Sequence, residues 1–173
     1  MTPPHRKLWA PWRVGYIVSA RNSHKGPCLF CRLQREKSDS KNQILQRGQW
    51  GFSLLNRFPY NNGHLMVAPY RHVGRLELLR PVEWVEFFSL ACDAIDRMKQ
   101  VLHPHGYNIG INQGRAAGAG IPGHIHLHIV PRWEGDTNFM PVIAGTKVIS
   151  QSLAACHRLL KRSPLRRAKI PTA

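Results

Sequence analysis

Apolar and polar positions alternate, or return at helical intervals, along most of the chain, and these two periods predict its elements. Gln49 to Asn56 has strand character, and His64-Leu65-Met66-Val67-Ala68-Pro69 reads as a short strand ended by proline. Between them Phe58-Pro59-Tyr60-Asn61-Asn62-Gly63 carries the residues of a turn. Pro81 to about Leu102 predicts an amphipathic core helix opened by proline, with Val85, Phe88, Ala91/Cys92, Ile95, Met98 and Val101/Leu102 as its apolar stripe. Tyr107 to Asn112 alternates again, Gly114 to Gly123 is rich in glycine and alanine, and His124 to Pro131 alternates strictly. Val148, Leu153, Leu159 and Leu160 predict a second helix from about Thr146 to Lys161. The order is strands, helix, strands, helix with hairpin-like links, which predicts an α+β domain built on an antiparallel sheet.

A length of 173 residues with 43% hydrophobic content suits one folded domain and excludes a disordered chain. The opening through Lys25 is irregular and dotted with aromatics, as in Leu8-Trp9-Ala10-Pro11-Trp12-Arg13, and is expected to pack as an arm over residues 1–25. Apolar runs such as Phe87 to Cys92 are too short to span a bilayer, and the basic N-terminus lacks the apolar core of a signal peptide. The expectation is a cytoplasmic protein with no membrane partner. Cys28, Cys31, Cys92 and Cys156 make no convincing disulfide framework, which fits a reducing compartment.

The net charge of +16 suggests a polyanion partner until its location is considered. Residues 1–50 contribute +8, residues 51–143 only +1, and residues 144–173 +7. The excess lies at the two ends, where it serves solubility or weak attraction of RNA, nucleotides or an anionic surface. The nearly neutral middle holds the candidate chemistry.

His124, His126 and His128 share one face of their predicted strand, while Ile125, Leu127 and Ile129 occupy the other. At roughly 3.3 Å per residue, neighbouring histidines stand about 6.6 Å apart and the outer two about 13 Å apart. One metal could be held by an adjacent pair but hardly by all three. A plain polar face, a metal site, and nucleophilic or acid–base chemistry all remain open from the residues alone. Imidazole suits the last, because an ordinary pKa of roughly 6.5 leaves a neutral attacking nitrogen at neutral pH. For attack on a phosphate, the backbone N–H groups at Gly114, Gly118, Gly120 and Gly123 could approach anionic oxygens, and a protonated His128 could add positive charge. Cys28-Leu29-Phe30-Cys31 is a lone C-x-x-C whose thiols suit zinc, a redox pair or simple burial.

The stretch GHIHLHIV, Gly123 to Val130, resembles the signature of the histidine triad (HIT) superfamily. The resemblance extends over most of residues 8–160. It includes LWAPWR from Leu8, NRFPYNNGH from Asn56 to His64, NIGINQGRAAGAG from Asn108 to Gly120, and PRW from Pro131 with GDTNF from Gly135. These segments are similar to the bacterial branch that contains diadenosine tetraphosphate phosphorylases.

The resemblance implies a homodimer, each subunit with an antiparallel sheet of about five strands and two main helices, over residues 26–162, followed by a basic tail at 163–173. It implies cleavage of dinucleoside polyphosphates, with diadenosine tetraphosphate the favoured substrate, by phosphorolysis or hydrolysis through a covalent nucleotidyl-histidine. His126 matches the nucleophile, His128 a phosphate-contacting histidine, and His64 a histidine near the α-phosphate. Asn56 matches a residue near the ribose and Asn112 one near the phosphates; Gln113, Gly118 and Gly120 join the nucleotide-binding set, with Leu54 and Leu55 as walls of a base pocket. Relatives with an N-terminal cysteine pair complete a structural zinc site, which here would use Cys28, Cys31, His72 and His124, with no organic cofactor. Many members carry glutamine then serine or threonine just before the triad, where this chain has Gly120, Ile121 and Pro122. That departure argues against nucleoside phosphoramidase activity; a nucleotide-binding or RNA-associated module that keeps the fold is the other alternative.

Overall fold

A computed structural model describes residues 27–138, 140, 146 and 148–165. The arm at 1–25, the LWAPWR segment, Phe139 and the tail beyond Leu165 lie outside these residues. The described chain runs α1 (Leu29–Arg35), β1 (Ile44–Arg47), β2 (Gly51–Leu55), β3 (Leu65–Pro69), a 3-10 turn (Leu76–Leu78), α2 (Pro81–Val101), β4 (Gly106–Ile111), β5 (Leu127–Arg132) and α3 (Leu153–Arg162). The five strands form one antiparallel sheet in the order β1-β2-β3-β5-β4.

Alternation along each strand divides the sheet into two faces. Leu55, Leu65, Val67, Leu127 and Ile129 bury one face beneath α2 and α3, against Phe87, Leu90, Met98 and Leu160. Phe52, Leu54, Met66 and Ala68 line the other, covered by Phe30 and Leu33 of α1. Each such apolar side chain contributes roughly 1.5–3 kcal/mol when fully buried. The central strand β3 is therefore buried on both sides, which explains its unbroken apolar sequence. The cross-strand row Leu54–Met66–His128 puts the triad on the α1 face.

Three sequence expectations change. The buried positions of α2 are Glu83, Phe87, Leu90, Ala91, Ala94, Arg97 and Met98, with Ile95, Val101 and Leu102 partly buried against the same core, so the expected stripe fails at Val85 and Phe88. Val85 is 70% exposed and Phe88 46% exposed. The helix carries apolar residues on two faces, and this chain's own core takes only one. The second helix starts at Leu153, not near Thr146, because the Ser152 hydroxyl caps it by accepting the Ala155 N–H at 3.2 Å. The paired part of the triad strand starts at Leu127, so His124 and His126 lie just before the ladder. The short elements α1 and β1 carried too few periodic positions to be read from sequence.

Candidate active site and metal centre

His64 enters the site from the turn before β3. Gly63, at φ +76°, makes the bend that a side chain would strain, and the buried Asn61 and Asn62 stitch this turn to later segments. Asn61 donates to the Pro131 carbonyl at 3.2 Å and to Asp136 at 2.8 Å, while Asn62 donates to Gln151 at 3.0 Å. The His64 ring then meets the His128 ring at 5.1 Å, and His128 meets His126 at 4.8 Å. Three imidazoles, one from the turn before β3, one from just before β5 and one from β5, thus form one cluster.

Hydrogen-bond partners that can play only one role fix where the protons sit. The Tyr60 backbone N–H donates to His64 Nδ1 at 3.0 Å, so the neutral ring carries its proton on Nε2. That Nε2–H donates to His128 Nδ1 at 2.9 Å, which leaves the His128 proton on its own Nε2. His126 Nδ1–H donates to the His124 carbonyl at 2.8 Å, so His126 Nε2 holds a lone pair. Burial pushes His126 below the ordinary histidine range, His128 down to about 4 and His64 down to about 3, the last helped by its histidine neighbours. The cluster is neutral at physiological pH. The protonated His128 expected from sequence is replaced by a neutral ring that offers an N–H.

The four residues Cys28, Cys31, His72 and His124 converge, with one ligand atom from each lying within 4.8 Å of all the others. Cys28 Sγ is 3.4 Å from His124 Nδ1, and Cys31 Sγ is 3.3 Å from His72 Nδ1 and 3.7 Å from His124 Nδ1. Tetrahedral zinc with Zn–S near 2.3 Å and Zn–N near 2.0 Å would set sulfur and nitrogen about 3.5 Å apart, so the donor set fits. His124 Nε2–H donates to the Pro69 carbonyl at 2.8 Å, which turns Nδ1 toward the thiols. Burial lowers His124 to about 4 and keeps that nitrogen unprotonated. The segment carrying His72 is held by Arg71, whose guanidinium pairs with the buried Glu83 of α2 at 2.6 Å, and that pairing lowers the Glu83 carboxylate's pKa. Gly74 passes so close to the loop before the triad that a side chain would meet the Pro122 carbonyl at 2.6 Å.

The remaining expected site residues divide. Asn56 accepts the Phe58 N–H at 2.9 Å, a turn bond, while its amide nitrogen lies 3.4 Å from His64 Nδ1. Continuing the β4–β5 register one residue past Ile111↔Leu127 sets Asn112 opposite His126. Gly118 sits in the intervening loop at φ +86°, its N–H donated to the Arg115 carbonyl at 3.0 Å; Gly120 lies two residues further on. Gln113 instead anchors the start of that loop, accepting the Leu76 N–H at 2.9 Å. Leu54 shares the triad's face, whereas Leu55 points the other way into the core under α2, so the two cannot wall one pocket. Two neighbours went unread in sequence: Tyr60, its ring tilted against His64 at 4.7 Å and stacked on His128 at 6.0 Å, and Phe30, 5.0 Å from His126. Their signal was available, since each lies within a motif that was noticed for other residues.

Comparison with known proteins agrees with this geometry. The family model described as "HIT domain" matches residues 37–135. The chain is 41% identical over 160 residues to a Mycobacterium tuberculosis protein named "AP-4-A phosphorylase", covering 90% of this chain and 82% of that one. It is 34% identical over 94 residues to the "Bis(5'-nucleosyl)-tetraphosphatase [asymmetrical]" of Schizosaccharomyces pombe, covering 54% of this chain and 51% of the relative. Among solved structures, a zinc-bound histidine triad family protein from Mycobacterium smegmatis superposes with a TM-score of 0.63 at 26% identity, covering 79% of this chain and 91% of that one. With the triad on its sheet and the family pattern running through most of its length, this chain belongs to the HIT family.

Proposed function

We propose that the protein cleaves dinucleoside polyphosphates, with diadenosine tetraphosphate the favoured substrate, by forming a nucleotidyl adduct on His126. The observation that carries this reading is the Nδ1–H bond from His126 to the His124 carbonyl, which leaves a neutral ring with its Nε2 electron pair available. The names of the mycobacterial and fission yeast relatives support the substrate class.

In the first step His126 Nε2 attacks the α-phosphorus in line, and the bond from phosphorus to the bridging oxygen of the remaining polyphosphate breaks. His128 Nε2–H hydrogen-bonds the departing oxygen, oriented by His64 behind it. In the second step water or inorganic phosphate attacks the same phosphorus, passes its proton to the site, and the P–N bond returns its electron pair to His126. Asn112, Gly118 and Gly120 would face the phosphates, Asn56 the ribose, and Leu54 the base. Zinc on Cys28, Cys31, His72 and His124 would supply structure rather than chemistry, because the His124 Nδ1 it occupies is not a reacting atom. The donor geometry and the zinc-bound M. smegmatis relative support that metal.

In this reading residues 1–25 are an arm, 26–162 the catalytic domain and 163–173 a basic tail. The enzyme works as a homodimer in a reducing compartment such as the cytoplasm. The edge strand β4, with Ile109 51% exposed, and the second apolar face of α2 at Val82, Val85 and Phe88 support self-association. Among the described residues no helix is long and apolar enough to cross a membrane. Incubation with diadenosine tetraphosphate, with and without phosphate, tests the activity. If phosphate is the acceptor, ATP and ADP appear only where phosphate is present; if water is, ATP and AMP appear in both incubations; unchanged substrate under both conditions contradicts the reading.

A further inference from the structure

We infer that the metal-binding corner sets the pose of the nucleophile, and that Phe30 is the positioning residue that transmits it. Phe30 lies between Cys28 and Cys31 on the first turn of α1 and is fully buried. Its ring centroid is 5.1 Å from that of His124, 5.0 Å from that of His126 and 6.3 Å from that of Phe52. One side chain therefore touches both a metal-corner histidine and the reacting one.

The His126 ring needs such a wall. Its Nδ1 bond to the His124 carbonyl fixes one point of the ring but leaves rotation about that bond, and the direction of Nε2 swings with it. His128, nearly perpendicular at 67°, borders the ring on one side, and Phe30, inclined at 44°, borders it as well. In-line attack is sensitive to this direction, since small misplacements of a reacting group cost large factors in rate.

Phe30 is itself held from the metal corner. The C-terminal end of α1 is tied down by Arg47, which donates to the Gln34 carbonyl at 3.0 Å and the Glu36 carbonyl at 2.9 Å. At the N-terminal end Cys28 makes no side-chain capping bond. That end is held by the packing of Phe30 on Phe52 and its neighbours and by the convergence of Cys28 and Cys31 on His72 and His124. An ion on these four ligands would fix the chain on both sides of Phe30 and so hold its ring against His126; with the four ligands unjoined, only apolar packing would restrain that end of α1.

This inference rests on His126 being the nucleophile, and the test separates the two. Full-length zinc-loaded protein, its chelated form, and Phe30→Ala and Phe30→Leu variants are compared by single-turnover adduct formation on His126, by nitrogen-15 spectra of the histidine rings, and by zinc content. Chelating the wild type should slow adduct formation by about tenfold and move the His126 ring signals; either variant, still holding zinc, should show a similar loss. Chelating the variants should then add less than about threefold, because a path already cut cannot be cut again. Losses that multiply fully, or a chelated wild type that reacts at the original rate, overturn the inference. If the variants fail to fold, wild-type spectra decide: His126 signals that stay fixed on chelation while those of His124 move also overturn it. No adduct in zinc-loaded wild type contradicts the nucleophile itself.

Discussion

At the scale of single residues, the site is defined by where protons sit. A backbone N–H, a ring N–H and a lone pair in series run from Tyr60 through His64 to His128, and none of the rings needs a charge. His128→Asn should therefore slow adduct formation by about 10²–10³-fold without moving it from His126, which rapid quenching and peptide mapping would show. An unchanged rate would remove His128 from the chemistry. The neutrality also has a pH consequence. His64 titrates near about 6.5 when unfolded but at about 3 in the fold, so the unfolded chain binds its proton first as pH falls. Stability is full above about 6.5 and is lost progressively as pH drops from there toward about 3. Urea midpoints measured over that window should fall less steeply in His64→Asn than in wild type, and parallel slopes would contradict the buried neutral assignment.

At the scale of elements, the corner where α1 meets the segment after β3 is the part that the proposed zinc would stabilise. Cys28→Ser should lose metal and lower the melting temperature by about 10 °C, on a scale of roughly 2–4 °C per kcal/mol in a chain this size. Metal analysis beside calorimetry checks this, and a metal-free protein with an unchanged melting temperature sinks the site. The same elements show what was legible beforehand. Strict alternation at 124–131 announced three histidines on one face, because one-face burial imposes a period of two. The ends of the ladder were not legible, since His124 and His126 are held by side chains and carbonyls rather than by strand pairing. The α2 stripe was misread at Val85 and Phe88 because these are as periodic as Phe87 and Leu90, and only the sheet's position chooses between the two faces. Leu54 and Leu55 were taken together although neighbours on a strand must part. The candidate ligands and candidate catalytic histidines came from resemblance; the proton positions required coordinates.

At the scale of the whole molecule, the neutral middle and the charged ends invite separate tests. Removing residues 166–173 takes away Arg166, Arg167 and Lys169 but spares the bonds that Arg97 and Gln100 make to Ser163 and Pro164. Turnover should persist, while the log–log salt dependence of any single-stranded RNA binding should flatten by about 2, at roughly 0.7 per phosphate contact. Loss of turnover in a folded truncation would place the tail in the site. If the proposed dimer forms through the exposed faces of α2 and β4, Val85→Asp with Ile109→Asp should shift it to monomer by light scattering, because a charge on each of the two exposed apolar surfaces would oppose pairing; an unchanged mass would contradict that interface. The function itself depends on one bond. Rapid quenching with labelled diadenosine tetraphosphate should trap an acid-labile, base-stable nucleotidyl group on His126, with retention at phosphorus over the two in-line steps, and His126→Asn should lose the adduct and at least about 10⁴-fold in turnover. Inversion at phosphorus, or undiminished turnover in His126→Asn, would contradict the account.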